Sequence, residues 1–221
     1  MQGKLIVFEG IEGSGKTTQI NHLRQWLEHT LVKPKLRDWP TGVVVTRQPG
    51  GTSIGQQIRQ VLLQPNAGSD SLTSTSELLL YAADRAHHVE RILVPALNAG
   101  QIVLCDRYTA STIAYQGYGR QLDLNLIDTL NAIATGDLSS DLTLWLKLDV
   151  TIGLQRMNAR GEADRIEQAG IEFHRRVHGG FAAQAKQQEH FIPVDGSLDQ
   201  TAVAEQIQGI VSTYLQQWYG L

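Results

Sequence analysis

The residues best suited to chemistry lie in one glycine-rich stretch near the amino terminus. Residues 10–17 read Gly-Ile-Glu-Gly-Ser-Gly-Lys-Thr and match the pattern G-x-x-x-x-G-K-[ST] at every fixed position. Glycines let backbone N–H groups converge on an anionic oxygen cluster, while Lys16 adds a charge for the β- and γ-phosphates and Thr17 offers a hydroxyl to Mg²⁺. The pattern predicts a nucleoside-triphosphate site. The residues expected to hold its phosphates are Gly10, Ile11, Glu12, Gly13, Ser14, Gly15, Lys16, Thr17 and Thr18.

A carboxylate that organises the magnesium ion is expected at the end of a second apolar strand. The run Ile-Val-Leu-Cys-Asp ends at Asp106, which makes Asp106 a candidate Mg²⁺ ligand, directly or through water. Asp149 is the alternative, because it follows the apolar run from Leu144 to Leu148. Lys147 interrupts that run, so we favour Asp106.

The strings N-K-x-D and D-x-x-G of GTPases do not occur in the chain. The remaining class is a small kinase that passes a phosphoryl group to a compact acceptor. Such an enzyme needs a second anion site and a lid that excludes water. The anion-site candidates are Arg47, Arg59, Arg85 and Arg107. The lid candidate is the charged region of about 153–176, in which Arg156 and Arg160 share a helix face and Gly161 permits a bend. A solvated helical face with ion pairs is the alternative interpretation of that region.

The elements that must position these residues alternate along the chain. Short runs rich in Val, Ile and Leu, without clean alternation, predict strands that are covered on both faces. The predicted strands are Leu5 to Phe8, Val43 to Thr46, Ile102 to Cys105, Leu142 to Leu148 and Phe191 to Val194. The predicted helices are Thr17 to His29, Ile54 to Leu63, Glu77 to Leu97, Asn125 to Ala134 and about Gln200 to Trp218. This alternation predicts an α/β fold with a parallel sheet.

Composition narrows the class of protein. The 221 residues suit a single domain, 1–221, and a content of 42% hydrophobic and 19% charged residues is typical of a globular protein. A net charge of −3 disfavours a nucleic-acid partner, and no apolar run approaches the length of a membrane span. Cys105 is the single cysteine, so an intrachain disulfide is excluded and a cytoplasmic enzyme is expected.

Five stretches, in order, resemble the motifs of the thymidylate kinase (dTMP kinase) family. They cover residues 8–13 (FEGIEG), 46–52 (TRQPGGT), 79–85 (LLYAADR), 106–117 (DRYTASTIAYQG) and 159–167 (ARGEADRIE). The resemblance implies the P-loop nucleoside monophosphate kinase fold, with a five-stranded parallel sheet, flanking helices and a small helical lid. It also implies Mg²⁺-dependent phosphoryl transfer from ATP to dTMP, which gives ADP and dTDP, in a homodimer.

The resemblance assigns a role to each residue that matches a motif of the acceptor-base pocket. Tyr81 stands where the family stacks an aromatic ring on thymine, and Arg85 stands where a guanidinium donates to the thymine carbonyl. Thr112 and Gln116 match contacts to the base edge. Tyr115 matches a ring that crowds the sugar and disfavours a 2′-hydroxyl.

The acceptor phosphate and sugar are assigned in the same way. Arg107 and Arg59 match ligands of the acceptor phosphate, and Glu12 matches an acidic residue near the acceptor sugar. Two other functions stay open at this point: a kinase for another monophosphate such as dUMP, and an NTP-driven switch without an acceptor.

The resemblance also places the catalytic arginine. One branch of the family carries it inside the phosphate loop, at the position where this chain has Gly13, so the bacterial branch and a lid arginine are implied. Arg160 is the first candidate and Arg156 the second. Two positions depart from the family: Gln48 stands where many bacterial relatives have Glu, and Asn158 stands where some have another lid arginine.

Overall fold

Five strands form one sheet in which every neighbouring pair is parallel, in the order β2-β3-β1-β4-β5. The structure is a computed structural model that describes residues 3–31, 40–64, 71–159 and 164–220. The strands are β1 (Lys4–Glu9), β2 (Val43–Arg47), β3 (Ile102–Asp106), β4 (Leu142–Lys147) and β5 (Phe191–Asp195). The predicted five-stranded parallel sheet is therefore confirmed. Because β1 lies between β3 and β4, the loop that follows it emerges at the middle of the sheet edge.

Helices cover both faces of the sheet. They are α1 (Lys16–Thr30), α2 (Ser53–Leu63), α3 (Ser74–His88), α4 (Val94–Asn98), α5 (Thr109–Thr112), α6 (Leu124–Thr135), α7 (Val150–Asn158), α8 (Ile171–Gln187) and α9 (Gln200–Tyr219). The single helix predicted from Glu77 to Leu97 is interrupted by the π-helical turn Val89–Leu93, and a second π-helical stretch, Ile113–Gly119, follows α5. Such turns contain one extra residue, which shifts the apolar stripe that reveals a regular helix.

Alternate residues of the central strand face two different cores. Ile6 and Phe8 pack with α1 and α9, whereas Leu5 and Val7 pack with the π-helical turn Val89–Leu93 and α4. Each of these four side chains is at most 1% exposed. The strand is thus buried on both faces, as its continuous apolar run predicts.

The predicted lid region contains the end of α7, turns over residues 165–168 and the start of α8. Sequence analysis missed α8, because charged residues and two glycines obscure its apolar stripe of Phe173, Val177 and Phe181. Arg160 and Gly161 lie outside the described residues, as does most of the loop at 33–42. Within the described ranges, no helix is long and apolar enough to cross a membrane.

Candidate active site

The glycine-rich loop joins the end of β1 to the start of α1, as its sequence pattern predicts. Gly15, with φ of 91°, caps the helix, and Lys16 is its first residue. The Lys16 ammonium donates to the carbonyl oxygens of Gly10 and Ile11, both at 3.0 Å. The loop therefore wraps around the Lys16 side chain at the positive end of a helix dipole, which is a ready site for a phosphate group.

Gly13 lies in direct contact with another element. Its φ is +74°, and a Cβ atom there would lie 2.4 Å from the carbonyl oxygen of Gly153 on α7. A Cβ on Gly153 would in turn lie 2.7 Å from Ile11 Cδ1. Both positions therefore exclude a side chain, so an arginine at position 13 does not fit this structure.

The charge of Lys16 is tuned by its surroundings. Burial, followed by the positive charge of the nearby Arg107, lowers the pKa of Lys16 to about 8, against the opposing effect of the Asp106 and Glu12 carboxylates. An anionic phosphate bound in the loop would also raise the pKa of Lys16. Lys16 is thus poised to gain full charge when an anion binds.

Asp106 and Thr17 lie beside Lys16 and line the same cavity. Asp106 pairs with Phe8 in the sheet register, and its buried Oδ1 atom receives no hydrogen bond from the described residues. An unpartnered carboxylate oxygen and a hydroxyl beside a phosphate site suit Mg²⁺, which prefers oxygen ligands. Asp149 instead caps α7, because its Oδ1 accepts from the backbone N–H of Thr151 at 2.8 Å.

Two cavities adjoin at the carboxyl edge of the sheet. One contains Lys16 and is lined mainly by polar side chains, and the other, of about 560 Å³, contains Tyr81. Five residues line both cavities: Glu12, Gln48, Arg59, Arg107 and Asp164. Two ligands bound there would therefore face each other across these side chains.

Arg107 is fixed at the junction of the two cavities. Its backbone has φ of +72°, a left-handed conformation that is rare for a residue with a side chain. The guanidinium forms an ion pair with Glu12 at 2.7 Å and donates to Ser111 Oγ at 3.0 Å. Arg59, also predicted as a phosphate ligand, donates to the carbonyl oxygen of Pro49 at 3.1 Å. Strained backbone together with a held side chain is common at functional sites.

The second cavity gathers the residues predicted to hold the acceptor base, namely Tyr81, Arg85, Thr112, Tyr115 and Gln116. Thr112 Oγ1 is buried and receives no hydrogen bond from the described part of the chain. The Tyr115 hydroxyl donates to Glu12 Oε2 at 2.6 Å, and its ring packs edge-on against Phe173 and Phe181. Tyr115 therefore has both a core contact and a polar contact at the site.

A hydrogen-bonded chain that sequence analysis did not foresee holds Arg85. Arg85 Nε donates to Gln48 Oε1 at 2.9 Å, so the Gln48 amide nitrogen faces His88 Nδ1 at 2.8 Å and donates to it. The imidazole proton then lies on Nε2, which donates to Thr46 Oγ1 at 2.6 Å. Gln48, noted only as a departure from the family, is the central link of this chain.

A second unforeseen residue lies beneath the site. Glu9 is fully buried at the end of β1, and burial raises the pKa of its carboxyl group. Its oxygens accept from the backbone N–H of Tyr108 at 2.9 Å and from the Ser111 hydroxyl at 2.6 Å. Glu9 thus fixes the turn that carries Arg107. An acidic residue directly after four buried apolar positions was the signal available in the sequence.

His88 makes the stability of the protein depend on pH. Burial, followed by the positive charges of Arg85 and His87, lowers the pKa of His88 from 6.5 to about 4. Between these two values the unfolded chain binds a proton that the folded protein does not, so stability is present above pH 6.5 and is lost as the pH falls toward 4. We expect the His88 contribution to the free energy of unfolding to fall by about 2–3 kcal/mol from pH 7 to pH 4.5.

The measurement is urea unfolding of the protein and of His88→Gln at both pH values. The difference between the two proteins cancels the titration of other groups, and it should shrink at pH 4.5. An identical difference at the two pH values would contradict the prediction.

Of the two predicted lid arginines, Arg156 lies within the described residues and Arg160 does not. Arg156 is exposed on α7, and its Nη1 atom lies 3.5 Å from the carbonyl oxygens of Gly13 and Gly196. Arg160 lies outside the described residues, but Asp164, four residues later, lines both cavities. The chain that carries these arginines therefore borders the phosphate loop on both sides of the gap.

The chain is similar to known proteins over nearly its whole length. The profile of the family described as "Thymidylate kinase" matches residues 8–207. A thymidylate kinase from Trichodesmium erythraeum is 53% identical over 222 residues, which is 99% of each chain, and one from Nostoc punctiforme is 52% identical over 98% of this chain and 99% of its own. The crystal structure of thymidylate kinase from Ehrlichia chaffeensis is 32% identical, with a TM-score of 0.74, over 96% of this chain and 100% of that one.

These similarities confirm the P-loop nucleoside monophosphate kinase fold expected from the sequence. The named relatives are bacterial, in agreement with the expected branch. The match extends through the phosphate loop, the acceptor-base motifs and the lid region. The chain belongs to the thymidylate kinase family.

Proposed function

We propose that the protein catalyses Mg²⁺-dependent transfer of the γ-phosphoryl group from ATP to dTMP, which yields ADP and dTDP. The observation that carries the proposal is that the phosphate-loop cavity and the Tyr81 cavity adjoin and share Arg107. An ATP in the first cavity and a monophosphate in the second would meet with their phosphates at this arginine. That is the arrangement that direct transfer requires.

The phosphate loop and Lys16 hold the donor. Backbone N–H groups and the helix dipole bind the phosphates, and Lys16 neutralises charge on the transferred group. Thr17 and Asp106 would hold Mg²⁺, which supplies further charge neutralisation to the phosphate oxygens when it is bound. Arg160, or Arg156 as the second candidate, adds positive charge from the lid.

The second cavity orients the acceptor. Arg107 and Arg59 hold the dTMP phosphate, whose oxygen is the nucleophile and is already ionised, so no general base is needed. Tyr81 stacks on the base and Arg85 donates to its carbonyl oxygen. The residues thus position two anions and neutralise their charge, which is most of what a loose phosphoryl-transfer transition state demands.

A coupled ADP-release assay with dTMP, dUMP, CMP, AMP and GMP tests the proposal. We expect dTMP to give the highest kcat/KM, because Tyr81 and Arg85 form a pocket for a pyrimidine with a carbonyl group. A preference for a purine monophosphate would contradict the assignment of this pocket. ATP hydrolysis that no monophosphate accelerates would indicate an NTP-driven switch instead.

The cytoplasm is the expected site of this reaction, with no nucleic-acid or membrane partner. ATP and dTMP are small anionic substrates, and the net charge of −3 gives no general attraction for a polyanion. Cys105 is a buried free thiol, which suits a reducing compartment.

A homodimer is the proposed assembly. Helix α3 packs against both α2 and α6. These three helices expose large apolar side chains to solvent. These side chains, between 46% and 73% exposed, are Ile54, Val61, Leu79, Leu126 and Ile133. A second copy of the chain that covers them would remove this apolar area from water.

The dimer is tested by sedimentation equilibrium. We expect the protein to sediment with twice the mass of one chain, and Ile133→Glu to sediment as a monomer because it places a charge in the apolar contact. The matched control is Ile171→Glu, which changes an exposed isoleucine on α8 and should leave the dimer intact. A monomeric parent protein, or a dimeric Ile133→Glu variant, would contradict this assignment.

A further inference from the structure

A buried carboxylate lies directly behind the cavity that we assign to the acceptor base. Glu77 on α3 is fully buried, and Gln116 is 2% exposed. Gln116 Nε2 lies 2.8 Å from Glu77 Oε1. Guanidinium nitrogens of Arg120 and Arg165 lie 3.1 Å and 2.6 Å from Glu77 Oε2. The Glu77 carboxylate is therefore held by Gln116, Arg120 and Arg165, and of these three Gln116 lines the cavity.

The contact with Glu77 determines which end of the Gln116 amide faces the ligand. A carboxylate accepts hydrogen bonds and cannot donate them, so the amide atom 2.8 Å from Glu77 is the nitrogen. Gln116 lines the base cavity, and no described residue donates to its Oε1 atom. The Gln116 amide therefore keeps its nitrogen toward Glu77 and presents its acceptor oxygen to the cavity.

Arg85 presents the opposite polarity in the same cavity. Its guanidinium carries donors only, and three of them are already committed, to Gln48 Oε1, Asn131 Oδ1 and the carbonyl oxygen of Tyr108. A donor from Arg85 and an acceptor from Gln116 together match the C4 carbonyl and N3–H of thymine or uracil. Cytosine has an amino group at C4 and a bare N3, so it reverses both polarities.

We propose that Glu77 is a positioning residue that selects the base by fixing the amide orientation of Gln116. Glu77 does not touch the nucleotide. It excludes the flipped amide, in which Nε2 would face the cavity and could donate to N3 of cytosine. The inference rests on the proposed function, because it assumes that a pyrimidine monophosphate occupies this cavity.

The test compares dUMP with dCMP, which differ at C4 and N3 and both lack the 5-methyl group. The quantity measured is the ratio of their kcat/KM values. Partial unfolding lowers both rates by the same factor, so a purely structural role of Glu77 would not change the ratio.

Two variants of Glu77 are informative. In Glu77→Gln the residue can donate as well as accept, so Gln116 can flip, and we expect the dUMP/dCMP ratio to fall roughly 10-fold or more. Glu77→Asp keeps the charge for the arginines but withdraws the carboxylate from Gln116, and it should give a smaller fall. It serves as the test if Glu77→Gln does not fold. An unchanged ratio in a folded variant overturns the proposal.

A double-mutant cycle shows whether Glu77 acts through Gln116. In a Gln116→Leu background, Glu77→Gln should no longer change the ratio, because no amide remains to be oriented. Arg120→Gln is the matched control: it removes one cation beside Glu77, leaves the contact with Gln116, and should keep the ratio within about twofold. A fall in the ratio for Arg120→Gln equal to that for Glu77→Gln would assign the effect to general loss of the charge cluster.

The outcomes also separate this proposal from the proposed function. If the parent protein phosphorylates no pyrimidine monophosphate, the function itself is wrong. If it phosphorylates dTMP and dUMP but the Glu77 variants keep the parent ratio, the function stands and the role of Glu77 is refuted.

Discussion

Lys16→Ala is expected to lower kcat by about 10²–10³-fold while leaving the fold intact. The Lys16 ammonium lies inside the phosphate loop, 3.0 Å from two carbonyl oxygens of that loop. The Lys16 side chain is buried, so its charge acts on the transferred phosphoryl group with less screening than at the surface. Alanine removes this charge, and no other described lysine lines either cavity.

Steady-state kinetics with ATP and dTMP measure this effect, and circular dichroism shows whether the variant is folded. Lys147→Ala is the matched control, because Lys147 is an exposed lysine at the carboxyl end of β4 and lines neither cavity. The control should retain kcat within about twofold. Near-normal turnover of folded Lys16→Ala would remove the loop lysine from the mechanism.

Arg160→Ala is expected to lower kcat about 10³-fold and to change the KM for dTMP much less. An arginine delivered to the transferred group interacts most strongly with the transition state, so its loss appears in kcat. Gly13 leaves no space for an arginine inside the loop, because a Cβ there meets the Gly153 carbonyl oxygen at 2.4 Å. The positive charge must therefore come from elsewhere, and the sequence places Arg160 four residues before Asp164, which lines both cavities.

Arg156→Ala provides the comparison for Arg160→Ala. Arg156 lies on α7, exposed, 3.5 Å from the Gly13 carbonyl oxygen, so we expect it to affect the KM for ATP more than kcat. If the two variants exchange these effects, Arg156 is the catalytic arginine. If Arg160→Ala changes only the KM for dTMP, Arg160 is a binding residue.

Local patterns explain why so much of the fold was predictable. The strands around β1 are buried on both faces, so their apolar runs stand out, and the phosphate loop is a contiguous motif whose geometry follows from its glycines. Tyr81, Arg85 and Gln116 could be assigned together because they lie in motifs that resemble those of a known family, and the structure places all three on one cavity. Each of these features rests on short stretches of contiguous sequence.

Features that depend on pairing between distant elements were not predictable. The link between Gln48 and His88 joins the end of β2 to the end of α3, 40 residues away. Glu77 and Gln116 meet across 39 residues, and neither side chain alone reveals that one fixes the amide of the other. Polar side chains of this kind look like surface residues in a sequence, and only the tertiary fold shows that they are buried and partnered.

The contact between Gly13 and Gly153 means that the phosphate loop and α7 constrain which substitutions the other can accept. The phosphate loop touches α7 backbone to backbone, so neither glycine can change alone without moving the helix that leads to the lid. A lineage that acquired an arginine in the loop would first have to shift this helix. A catalytic arginine inside the loop is thus excluded on steric grounds as long as α7 keeps this position, and a single substitution at Gly13 cannot introduce one.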